Sequence, residues 1–148
     1  MKKFLPIAAV IIALFGVLIW WSTSTSPLRD DNRLQISFGN AVVHAEVVTT
    51  PEARAQGLSG RDGLEENEGM LFVFETDGLH SFWMKDMLFP IDMIWLSADK
   101  AVVHIEKHAT PESYPKSFKP DTPARYVLEV ASGWSDRHGI TIGSSAQF

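Results

Sequence analysis

Leu34, Ile36 and Phe38 are apolar while Gln35 and Ser37 between them are polar, the two-residue period of a strand with one wet face. Gly39-Asn40 punctuates the pattern and Ala41–Val48 resumes it, so the pair reads as a hairpin. Thr49-Thr50-Pro51-Glu52 is a helix start: Thr50 can cap, Pro51 supplies the fixed φ of a first helical residue, and Glu52 meets the positive helix end. Gly57 and Ser59-Gly60 stop that helix early. Ala53, Ala55 and Leu58 are its residues available for burial, which makes it a small cover on a sheet. Residues 61–68 form an acidic loop.

Residues 69–74, Gly-Met-Leu-Phe-Val-Phe, are almost wholly apolar and predict a short strand covered on both faces. Two further strands are expected at 79–84 and 91–96, joined by 85–90, then one at 101–108. Pro111, Pro115, Pro120 and Pro123 make 109–123 a long irregular loop, of the kind that is often functional or covers a sheet edge. A strand at 125–131, one helical turn within 132–138 and a closing strand from 140 complete the pattern. Short strands with one or two short helices predict a mainly β (α+β) domain: a strongly curved antiparallel sheet or open β-barrel.

This domain, residues 33–148, follows two other segments. Phe4 to Trp21 is an uncharged apolar run of 18 residues behind Lys2 and Lys3. As a helix it would span roughly 27 Å, enough for a hydrocarbon core. A signal-peptide core is usually shorter and ends in an Ala-x-Ala site, whereas this run closes with Trp20-Trp21, suited to a membrane interface. Residues 1–21 are therefore expected to be a signal-anchor, with a cleaved signal peptide as the alternative, and 22–32 a flexible linker. The basic start places the N-terminus in the cytoplasm and the domain in the periplasm or outside the cell.

The chain has 148 residues, a formal net charge of −5 and no cysteine. Without cysteine there is no disulfide framework and no thiolate nucleophile or metal site. No basic stripe speaks for nucleic acid, and no glycine spacing resembles a phosphate cradle. Neither a cofactor nor a metal is expected.

Gly57-Leu58 with Arg61, Gly69-Met70-Leu71-Phe72, Phe82-Trp83-Met84-Lys85, Pro90-Ile91-Asp92, Leu128-Glu129, Gly133, Gly139 and Gly143 resemble the pattern of the DUF192 (UPF0127) family over roughly residues 35–148. The resemblance implies a compact, mostly β domain, often behind an export signal, and no assigned activity. The polar positions matching its motif are Arg61, Lys85, Asp92 and Glu129. Lys85-Asp86-Met87 stands where the family often has Lys-Asn-Thr, so position 86 is given no role.

Asp92 and Glu129 are carboxylates inside apolar strands, flanked by Ile91 and Met93 and by Leu128 and Val130. Alternation allows both to face water; inward, they need cations such as Arg61 and Lys85 or they stay protonated. A structural salt-bridge network, a ligand pocket, or acid/base chemistry by the pair would each use these residues. His104, Glu106 and His108 share a strand face, but residues ~6.5–7 Å apart cannot all reach one ion without a bend. Met70, Met84, Met87 and Met93 read as core filler before they read as a soft-metal site.

The leading expectation is a membrane-anchored exported binding or interaction domain. Its pocket would be built from Arg61, Lys85, Asp92 and Glu129 beside Phe82, Trp83 and Met84, for a small polar ligand, a glycan or an envelope protein. A hydrolase-type enzyme using Asp92 and Glu129, and a purely structural envelope module, are the alternatives.

Overall fold

A computed structural model describes residues 33–148. Strands β1 (Leu34–Phe38) and β2 (Ala41–Val48) form the expected hairpin, from Leu34 opposite Ala45 to Phe38 opposite Ala41. Helix α1 (Pro51–Gln56) is capped as its sequence predicts, with the Ala53 N–H donating to Thr50 Oγ1 at 3.2 Å. Then follow β3 (Glu68–Gly78), β4 (Phe82–Trp83), β5 (Ile91–Leu96), β6 (Val102–Ala109), a 3₁₀ turn (Pro111–Ser113), β7 (Ser117–Phe118), β8 (Ala124–Ala131) and α2 (Trp134–Arg137).

Six strands make one sheet in the order β1-β2-β3-β8-β5-β6, and β4 pairs with β7 in a separate two-stranded ribbon. The sheet is mixed and open, which corrects the expectation of an antiparallel or barrel-like one. Strands β2 and β3 run parallel, from His44 beside Glu68 to Val48 beside Phe72. Parallel neighbours need a crossover connection of about a dozen residues or more, usually helical, and residues 49–67 with α1 supply it. The helix is thus a crossover as well as a cover.

Closure fails because the C-terminal segment makes only isolated bridges, Ser37 with Gln147 on the β1 side and Ala101 with Ser145 next to β6. No strand forms at 140–143, and the expected strand at 79–84 shrinks to β4. The Pro-rich stretch is more ordered than expected, since β7 fits between Pro115 and Pro120.

Because β5 is buried at every position, the sheet needs cover on both sides, and two apolar clusters provide it. One face packs Ile36, Val43, Leu71, Ile94, Leu128 and Val130 with Trp134 of α2. The other packs Met70, Phe72, Met93, Trp95 and Val127 with Leu58 beyond α1 and with Met84 and Phe118 by the ribbon. Among the described residues no helix is long and apolar enough to cross a membrane. The expected anchor at residues 1–21 and the linker to residue 32 lie outside the described residues.

Candidate functional site

Asp92 and Glu129 sit on neighbouring strands, with Asp92 opposite Val130 and Met93 opposite Glu129. Pairs opposite each other share a sheet face and successive residues alternate, so the two carboxyl groups lie on opposite sides of the sheet. The expected common pocket is therefore not formed, and neither is the acid/base pair of the hydrolase alternative.

On the α2 side, Asp92 is fully buried and accepts three backbone hydrogen bonds. Oδ1 takes the His108 and Gly133 N–H groups at 2.9 and 3.0 Å, and Oδ2 takes the Ser135 N–H at 3.0 Å. The carboxylate fastens the end of β6 and the start of α2 to the central strand.

Next to it, His108 Nδ1 lies 2.9 Å from Ser132 Oγ and Nε2 lies 3.3 Å from Asp136 Oδ2. That hydroxyl–imidazole–carboxylate chain has the components of an acyl-transfer triad. Asp92, however, occupies the Gly133 and Ser135 N–H groups that would otherwise stabilise an oxyanion there. Asp136 also pairs with Lys107, and the chain serves as a surface polar bridge.

On the α1 side, Glu129 is 5% exposed and its Oε2 has no hydrogen-bond partner. It forms part of the wall of a cavity of about 110 Å³, together with Arg54, Ala55, Gln56, Gly57, Leu58, Ser59, Phe72, Phe82, Trp83 and Met87. Burial pushes the Glu129 carboxyl up to about 8, and the nearby positive charge of Arg61 only partly opposes this. Near neutral pH it is an uncharged acid.

Sequence patterning shapes this cavity locally. Gly57 ends α1 at φ +49°, and a Cβ there would come within 3.3 Å of the Phe72 ring. Glycine lets the chain turn tightly against the aromatic wall. Gly69, inside β3, instead allows a close approach of the neighbouring strand, because a Cβ would stand 2.8 Å from the Glu129 carbonyl oxygen. Phe82 packs edge-on against Phe72, centroids 4.8 Å apart, and against Trp95 at 5.8 Å. Trp83 is 54% exposed and meets Tyr114 at 5.9 Å.

Of the seven expected pocket residues, Glu129, Phe82 and Trp83 line the cavity. Met84 is buried in the adjoining cluster. Arg61 acts on Glu129 through its charge, while its guanidinium binds both Glu46 oxygens at 2.7 and 2.8 Å. The Arg61 hydrogen bonds hold the Glu46 carboxyl below its ordinary range. Lys85 turns outward to Asp86 at 3.2 Å, and Asp92 is on the other face.

The residues that sequence reasoning left out are Gly57, Leu58 and Phe72 as walls. The signal was present in the Gly-Met-Leu-Phe run and the early helix stop, but only the parallel crossover brings the two together.

The family model described as DUF192, an uncharacterized group (ACR, COG1430), matches residues 34–148. A protein of unknown function from Novosphingobium aromaticivorans DSM 12444 has a solved structure similar to this one, with TM-score 0.74 and 28% identity over 78% of this chain and 85% of that one. A proposed transcription regulator from Sinorhizobium meliloti 1021 is similar at TM-score 0.72 and 28% identity, over 78% of this chain and 91% of that one. No curated protein matches the chain.

Proposed function

Because the chain belongs to the DUF192 family, whose description assigns no activity, its role has to be read from its own site, and we propose that it is an exported, membrane-anchored small-ligand-binding domain. The cavity between α1, β3, β8 and β4 takes the ligand. Glu129 is its polar contact, Phe72 and Phe82 are its walls, and Trp83 stands at the mouth.

One observation carries this reading: a buried glutamic acid with an unpartnered carboxyl oxygen lines an aromatic-sided cavity. An unmet buried polar atom costs about 1–3 kcal/mol, and a ligand group would meet it. The volume, about 110 Å³, is small beside the ~300–1,000 Å³ of sites for drug-sized ligands, so it suits a head group or a very small molecule. That favours a small ligand over a glycan or an envelope protein as the primary partner. Export and anchoring rest on the apolar run from Phe4 to Trp21 behind two lysines.

Nothing in this chain favours the role named for the Sinorhizobium meliloti relative. This chain has a net charge of −5, and α1 and α2 have 6 and 4 residues. Neither feature favours a nucleic-acid partner.

A thermal-shift screen of the full chain in neutral detergent, against small acids, amines, amino acids and envelope sugars, tests the binding reading. A ligand at 100 times its Kd should add ~2.7 kcal/mol, and Glu129→Gln or Phe82→Leu should change its affinity. Hits indifferent to both substitutions would remove the cavity from the proposal. The anchor is checked by N-terminal sequencing of the membrane-associated protein, where Thr25 or Pro27 as first residue would overturn it.

A further inference from the structure

The cavity's hydrogen-bonding groups are unequally free. Arg54 donates to the carbonyls of Thr49 and Val73, and its guanidinium lies 4.9 Å from the Phe74 ring centroid. Gln56 Nε2 donates to the Ser59 carbonyl at 2.9 Å, and Ser59 Oγ donates to the Lys85 carbonyl at 2.9 Å. Three side chains in the wall thus direct donors to protein carbonyls. The cavity is also lined by Glu129, whose Oε2 has no partner, by the aromatic residues Phe72, Phe82 and Trp83, and by Met87.

Aromatic faces attract cations through their quadrupole, and a carboxylate is the natural counter-ion in such a cage. Deepening the small-ligand reading and resting on it, we infer that the cavity binds a small organic ammonium ion, with the Glu129 carboxylate as counter-ion and Phe72, Phe82 and Trp83 as the cage. The charged groups around the carboxyl permit this. Arg61 is held by its two-pronged pair with Glu46, so its charge only partly opposes the burial of Glu129, and β3 and β5 place Met70 and Met93 opposite Glu129. Arg54, the remaining cation of the wall, is engaged with Thr49 and Val73 as above.

In the empty cavity near neutral pH the carboxyl carries a proton, since burial pushes it up to about 8. An arriving ammonium replaces that proton, which leaves to solvent while the carboxylate and the cation pair. The binding-competent ionised form is a minority below about pH 8, so apparent affinity rises with pH toward that value.

The test uses tetramethylammonium, with tert-butanol and pivalate as neutral and anionic shape-mates, titrated into the full chain in neutral detergent at constant ionic strength. Binding is read by NMR shifts at the Gly57 amide and the Trp83 indole. Tetramethylammonium should bind best, its Kd falling about tenfold per pH unit between pH 6 and 8 and levelling above. Glu129→Gln should abolish the pH dependence, and Phe82→Leu should weaken binding several-fold at every pH.

Pivalate or tert-butanol binding as tightly as the cation, or affinity that falls as pH rises, would overturn the ammonium assignment while keeping a small-ligand cavity. Absence of pocket shifts with all three probes would overturn both.

Discussion

Two carboxylic acids sit one strand apart in similar apolar settings, Ile91-Asp92-Met93 and Leu128-Glu129-Val130, and they have opposite fates. Asp92 accepts three backbone N–H groups and ties β5 to β6 and α2. Glu129 has a buried oxygen with no partner and is held uncharged near neutral pH by its burial. Burial alone does not distinguish a structural acid from a functional one, because both are buried. The distinguishing quantity is whether the protein itself satisfies the group. Satisfied acids stabilise; an unsatisfied one at a cavity wall is a standing cost that binding can offset.

The sharpest way to break this contrast is Asp92→Ala, which strands three N–H groups. It should lower stability by about 3–5 kcal/mol, measured by urea denaturation. A loss under about 1 kcal/mol would mean that these groups find water and that Asp92 is not the fastener described here.

Glu129 should behave in the opposite sense. Its folded-state value, about 8, is raised above the ordinary 4.5, so the folded protein holds a proton that the unfolded chain releases. The associated stability is fully present below about pH 4.5 and is lost as pH rises through about 8, at up to ~1.4 kcal/mol per pH unit. Glu129→Gln should remove that slope and unfold at higher urea than the parent at pH 8.5, with little difference at pH 5. Parallel pH profiles for the two proteins would show Glu129 to be solvated.

Gly69→Ala probes the backbone under Glu129. Pressing a methyl group 2.8 Å from a main-chain oxygen should cost about 1–3 kcal/mol and disturb the Glu129 amide shift.

Smallest of all should be Arg61→Met. Its pair with Glu46 is more than a third exposed on each side, so stability should change by under about 1 kcal/mol. The Glu129 carboxyl should nevertheless titrate at higher pH once the opposing charge is gone, read by carboxyl ¹³C NMR.

Much of the fold is readable from local pattern. The β1–β2 hairpin, the Thr50 cap, the two-sided burial of 69–72 and of β5, and the short helix near 134 all follow from spacing and from Pro or Gly positions. Parallel pairing of β2 with β3 does not, because a helical connection looks the same whether the chain returns parallel or antiparallel. Nor does β7, since two residues between prolines have no pattern of their own.

The candidate site was half readable for the same reason. Glu129, Trp83 and the aromatic run are conspicuous in the chain, but Lys85 and Arg61 looked like pocket cations and instead pair with Asp86 and Glu46.

By itself the sequence determined that the chain carries a mainly β domain with two-sided central strands, a family pattern over most of its length, and two acids embedded among apolar residues. Tertiary structure alone decided which face each acid occupies and what meets it there. Side-chain direction alternates with every residue, so the face depends on register between strands, and register is set by crossovers and packing far away in the chain. Asp92 therefore meets α2 and its backbone donors, while Glu129 meets a glycine-ended helix and an aromatic wall that leave it a cavity.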